Sequence, residues 1–114
     1  MTLPLDAATV LQALELELEH EPVDAAQVVE GSPTTGIAAL TELDEWEVGV
    51  WEITPGTVTD VEVDEVFIVL RGHAILRRGD GTEVELRAGS VGRLDDGEET
   101  EWRVLKTLRK IYIA

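Results

Sequence analysis

Gly56-Thr-Val-Thr-Asp-Val-Glu-Val-Asp-Glu-Val-Phe-Ile-Val-Leu-Arg-Gly72 is the stretch whose pattern decides the fold. It opens on a Pro55-Gly56 turn and alternates apolar and polar through Val61, Glu62, Val63 and Asp64, the period of a half-buried strand. Val66 to Leu70 is then apolar without a break and is bounded by Gly72, which reads as a strand buried on both faces. Glu65 stands at the mouth of that run. A carboxylate beside the most apolar strand of a protein is costly unless it is paired or solvated. That cost singles Glu65 out.

Outward from this stretch the chain is strand after strand. Ile37–Leu43 and Trp46–Thr54 precede it, joined by an Asp44-Glu45 turn, with Gly49 where another backbone passes close. Val58–Asp64 and Glu65–Arg78 read as two strands or one bent strand. Gly79-Asp80-Gly81 is a hairpin signal. Strands follow over Thr82–Arg87, Ser90–Leu94, Glu101–Leu105 and Leu108–Ile113, separated by the Ala88-Gly89 and Asp95-Asp96-Gly97 turns. Short strands at close spacing with Gly and Pro turns predict an all-β sandwich or barrel.

The N-terminal part reads differently. Asp6 can cap a short helix carrying Ala7, Ala8, Val10, Leu11 and Leu14. Leu14, Leu16 and Leu18 then alternate with Glu15, Glu17 and Glu19, which gives an extended arm, and Pro22 ends it. We therefore expect a helix and arm over residues 1–36 and a β-barrel over residues 37–114, within one domain.

Nine Lys and Arg against 24 Asp and Glu give a net charge of −15. That field repels nucleic-acid phosphates and anionic membrane surfaces, so neither is an expected partner. The chain has no Cys, which excludes disulfides, thiolate nucleophiles and Cys-ligated metals. With no signal-peptide pattern at Met1–Asp6 and no apolar run of spanning length, a cytoplasmic location is expected.

Gly49-Val-Trp51, Pro55-Gly56, Asp64-Glu65, Leu70-Arg-Gly72, Gly81, Ala88-Gly89, Gly97, Trp102-Arg-Val104 and Arg109-Lys-Ile-Tyr112 occur in an order and spacing that resembles the cupins. The resemblance covers roughly Val48–Tyr112. It is nearest to the single-domain group related to (S)-ureidoglycine aminohydrolase and the ethanolamine-utilisation cupins. It implies a jelly-roll β-barrel. In the first cupin motif Gly56, Glu65 and Gly72 match, and the two metal-binding His positions fall on Thr59 and Val61. In the second, Gly89 and Gly97 match, Asp95 replaces the Pro and Thr100 the remaining His. Three of the four usual metal ligands are thus replaced, so no metal and no other cofactor is expected.

Other chemistry finds little support. His20 and His73 lack a second His at ligand spacing, and Ser32 and Ser90 sit in no nucleophile elbow. Asp95-Asp96-Gly97-Glu98-Glu99 lacks the alternation of a calcium loop and reads as a solvated turn. Strand parity sends Asp60, Glu62 and Asp64 outward, and Thr59, Val61 and Glu65 inward. Thr100 and Trp102 share a face, and Trp51 lies on a neighbouring strand. The expected ligand pocket is therefore Trp51, Thr59, Val61, Glu65, Thr100, Trp102 and Arg109.

The residues leave three functions open. The first is a metal-free cupin that binds a small organic molecule. The second is a hydrolase or isomerase resembling ureidoglycine aminohydrolase, with Glu65 as general acid or base. The third is a structural or regulatory barrel, with Trp51 and Trp102 as core and Glu65 paired to an Arg such as Arg109. Related cupins commonly pair, and the apolar row of the arm suggests a homodimer built on Leu14–Val23 or Ile37–Leu43.

Overall fold

The computed structural model describes residues 3–6 and 9–114. Its strands are β1 (His20–Pro22), β2 (Val28–Glu30), β3 (Thr34–Leu43), β4 (Trp46–Ile53), β5 (Gly56–Val61), β6 (Glu65–Arg77), β7 (Glu83–Arg87), β8 (Val91–Leu94) and β9 (Glu99–Ile113). All pairings are antiparallel. They join in one curled sheet, with the path β1-β3-β4-β9-β5-β2 and with β6 linking β7, β8 and β9. The fold is all-β and of the cupin jelly-roll kind.

β9 is the spine. Its first half pairs with β5 on one edge and with Ala74–Arg77 of β6 on the other. Its second half pairs with β4 and with Val66–Val69. The sequence suggested two strands here, and the structure has one 15-residue strand. Opposite its middle, the β6 register shifts around Gly72, which holds φ +103°. A Cβ there would press on the backbone of Thr107 and Leu108. Glycine is the residue that takes this conformation at low cost.

The bulge also switches which side of β6 faces inward. Before it the buried residues are Phe67 and Val69; after it they are Ala74 and Leu76. Val66, Ile68 and Leu70 are half-buried, so the run is sealed on one face and only partly covered on the other. The inner residues join Ile53, Val58, Leu86, Leu94, Trp102, Val104 and Leu108 in a single core.

Among the described residues the expected N-terminal helix is not seen. Ala7 and Ala8 lie outside the described residues, and residues 9–12 are extended or irregular. Asp6 instead pairs with Thr9, which donates its backbone N–H to Asp6 O at 3.1 Å and its hydroxyl to Asp6 Oδ1 at 2.7 Å. Such local bonds compete with helix, and an isolated helix this short is marginal. The arm is held by tertiary contacts. Arg109 Nη1 donates to Ala13 O at 2.8 Å and to Leu16 O at 2.6 Å, while Leu5 N donates to Leu40 O. Beyond the arm, β1 pairs with β3 and β2 with β5, so the N-terminal segment widens the same sheet.

Candidate functional site

β5 stops at Val61, and residues 62–64 leave the sheet. Glu62 makes its backbone bonds to the 95–98 turn instead: its N–H donates to Glu98 O, and its carbonyl accepts from Gly97 N, both at 2.8 Å. This break resets the strand parity. Glu62, expected at the surface, is 8% exposed and turns inward. Asp60 and Asp64 remain exposed.

Inward of this break lies a cavity of about 330 Å³. Trp51, Val58, Trp102 and Tyr112 give it apolar wall, and Glu62, Glu65 and Lys110 give it charge. Glu62 Oε2 accepts from the Thr100 hydroxyl at 2.8 Å and from Trp102 Nε1 at 3.2 Å. Its Oε1 accepts from no described residue and is not sealed from solvent. Burial pushes the Glu62 carboxyl above its ordinary range, and the charge of Asp60 adds to this. The bonds from Thr100 and Trp102 and the charge of Lys110 pull the other way without cancelling it.

Lys110 reaches the cavity from β9, where it is paired in register with Trp51 on β4 and Val69 on β6. Its Nζ donates to Glu65 Oε2 at 2.6 Å. The same nitrogen lies 4.8 Å from the centre of the Trp51 ring, 4.9 Å from Trp102 and 5.0 Å from Phe67. Burying an ammonium is costly, and here a carboxylate and several aromatic rings compensate it. Tyr112 donates its hydroxyl to Glu47 Oε2 at 2.6 Å, and burial drives its phenol far above the usual range.

The structure brings Trp51, Val61, Glu65 and Trp102 to this cavity, with Thr100 behind Glu62. Thr59 and Arg109 are elsewhere. Thr59 is exposed and donates its hydroxyl to Gln27 O at 3.4 Å, beside a separate surface groove of about 520 Å³. Arg109 lies on the opposite face of β9 from Lys110, with its side chain 4% exposed. There it donates Nε to Glu52 Oε2 at 2.7 Å. Arg71 Nη2 and His20 Nε2 also meet the Glu52 carboxylate, each at 2.9 Å. Burial alone would raise the Glu52 pKa, but bonds from Arg109, Arg71 and His20 outweigh it and hold it at about 2.

Sequence reading missed Glu62 and Lys110. Lys110 left a signal: Arg109 and Lys110 are consecutive in a core strand, so period-2 alternation forces one of them inward. Glu62 left none, because a break in a strand at a Val-Glu-Val sequence has no turn residue to mark it.

A family model described as the EutQ-like cupin domain matches residues 40–112. The chain belongs to this cupin family. No curated protein sequence matches this cupin. Among solved structures, a Pseudomonas syringae pv. tomato protein of unknown function is 22% identical, with TM-score 0.77 over 90% of this chain and 46% of its own. The Clostridium difficile EutQ protein is 22% identical, with TM-score 0.60 over 71% of this chain and 61% of its own. A predicted oxalate decarboxylase from Thermotoga maritima is 16% identical, with TM-score 0.65 over 92% and 96%. The cupin thus spans less than two thirds of the first two. At these identities the likeness carries the fold alone.

Cupins commonly hold a metal, and whether one fits turns on the donor atoms present. At the positions that the sequence resemblance gives to metal ligands, Thr59 faces outward and Val61 has no donor atom. The Thr100 hydroxyl is spent on Glu62, and Glu65 Oε2 is taken by the Lys110 ammonium. Among the described residues no three His, Asp or Glu side chains converge as a metal-holding group. This donor set does not fit a transition metal, which asks for several N, O or S ligands in defined geometry. Among the described residues no helix is long and apolar enough to cross a membrane.

Proposed function

We propose that this cupin domain binds a small organic molecule in the cavity beside Glu62. The carrying observation is the Glu62 carboxylate: it is nearly buried, one oxygen is fixed by two donors, and the other opens on the cavity without a partner among the described residues. An empty acceptor of this kind, set among two indoles and a phenol ring, is how a small-molecule site fixes orientation. The ligand would supply an N–H or O–H donor to Glu62 Oε1 and apolar surface to Trp51 and Val58. Glu65 is already engaged by Lys110 and serves the cavity wall.

Trp51 and Trp102 line the cavity, so tryptophan emission is the natural readout. A screen of small polar metabolites should find a compound that changes emission saturably. Glu62→Gln should then weaken that compound by at least ~10-fold, the range of a bond to a charged acceptor. A hit whose affinity is unchanged by Glu62→Gln, or a screen in which no compound acts, would count against the site.

A further inference from the structure

The cation that faces the cavity is a tethered ammonium. Lys110 enters from the second half of β9, and its side chain is 7% exposed. One N–H meets Glu65 Oε2 at 2.6 Å, and the Trp51, Phe67 and Trp102 rings surround the nitrogen at 4.8–5.0 Å. Trp102 stands 6.0 Å from Trp51 and 5.8 Å from Phe67 between ring centres, so the three rings form one continuous cage. Carboxylate on one side and aromatic rings on the others leave the ammonium fully compensated without a ligand. Glu65 is also the residue to which the cupin motif would give a metal.

We propose that the Lys110 ammonium is the resident cation of this barrel, holding the place on Glu65 that a metal ion would take. This does not depend on the cavity having a ligand. Two consequences follow from the geometry. A divalent ion approaching Glu65 would have to expel a covalently tethered cation that sits 2.6 Å from the carboxylate. The cage itself is selective for an organic ammonium, because the rings attract a cation while presenting apolar surface to its carbon chain.

The test removes the tether and returns the cation. Lys110→Ala deletes the equivalent of n-propylammonium from the cage. Its unfolding temperature should fall, and added n-propylammonium should restore it saturably by at least ~4 °C. Wild-type protein should respond less than half as much, and n-propanol should restore neither. Equal rescue by n-propanol, or no saturable rescue, would overturn the proposal. Lys110→Met keeps the bulk without the charge, so an unfolding temperature equal to wild type would also overturn it. Should Lys110→Ala fail to fold, Mn²⁺ titration of wild-type protein followed by paramagnetic resonance decides. The ion should stay free at sub-millimolar concentration. Stoichiometric Mn²⁺ binding that is lost in Glu65→Gln would refute the resident-cation role.

Discussion

Replacing Arg109 by Ala should release the N-terminal arm and leave the cavity intact. Arg109 joins three partners: Glu52 Oε2 at 2.7 Å, Ala13 O at 2.8 Å and Leu16 O at 2.6 Å. Removing one member of a buried ion pair costs ~3–5 kcal/mol, because the other charge is stranded. Glu52 is only partly stranded, since His20 and Arg71 remain. Arg71 offers little compensation: its side chain is 49% exposed, and pairs made from solvent are worth ~0–1 kcal/mol. The two arm carbonyls lose bonds to a charged donor, each worth ~1.5–3 kcal/mol, but the arm can lift off and hydrate them. We expect a net loss of about 3 kcal/mol. Urea unfolding followed by tryptophan emission reads it as a lower midpoint. Amide exchange should rise around residues 13–16, where Arg109 holds the arm carbonyls. A loss below ~1 kcal/mol with exchange in the arm unchanged would refute the clamp. Loss of ligand affinity at the cavity in this variant would refute the placement of Arg109 outside it.

Further expectations test the core, the corner and the charges. Phe67 is 1% exposed and packs on Trp102, so Phe67→Ala should cost ~3–5 kcal/mol in urea unfolding; less than ~1 kcal/mol would mean the ring is not in the core. Gly72→Ala should destabilise more than the ~1 kcal/mol of a simple backbone penalty, because a Cβ would collide with the Thr107 and Leu108 backbone; a neutral variant would show that the bulge is not at Gly72. Glu52 has a folded pKa of about 2 against an ordinary 4.5. Its stabilisation is therefore complete above about pH 5 and fades as pH falls toward 2, by at most ~3 kcal/mol. Thermal unfolding at pH 6 and pH 3 should show that acid loss in wild type and a smaller one in Glu52→Gln; identical losses would refute it. Glu62 works in the opposite sense, since its raised pKa makes its ionisation a cost that grows as pH rises above 4.5.

The strands were legible because hydrophobic periodicity and Gly or Pro turns report local geometry directly. Six of the nine strands, β3 to β8, fall where alternation and turn residues put them, with ends shifted by a few residues. Two features were hidden in part by non-local causes. The Asp6 helix signal competes with the Thr9 bonds to Asp6 and with Arg109, which takes the arm carbonyls at Ala13 and Leu16 from almost the far end of the chain. Glu62 was assigned outward by parity, and parity fails where a strand exchanges its sheet partner for the 95–98 turn. Trp51, Glu65 and Trp102 line one cavity, and each lies within a regular strand or at its first residue. Arg109 was the expected inner cation, and Lys110 beside it was not singled out. Only the register with Trp51 and Val69 shows that Lys110 faces the cavity and Arg109 the arm.

Crystals soaked with a library of small polar fragments would test the central claim most directly. Fragment density should appear between Trp51, Val58 and Glu62, with a donor atom within hydrogen-bond distance of Glu62 Oε1 and Lys110 Nζ still on Glu65. Fragments found only elsewhere on the surface, with Trp51 and Val63 closed over a filled interior, would contradict it.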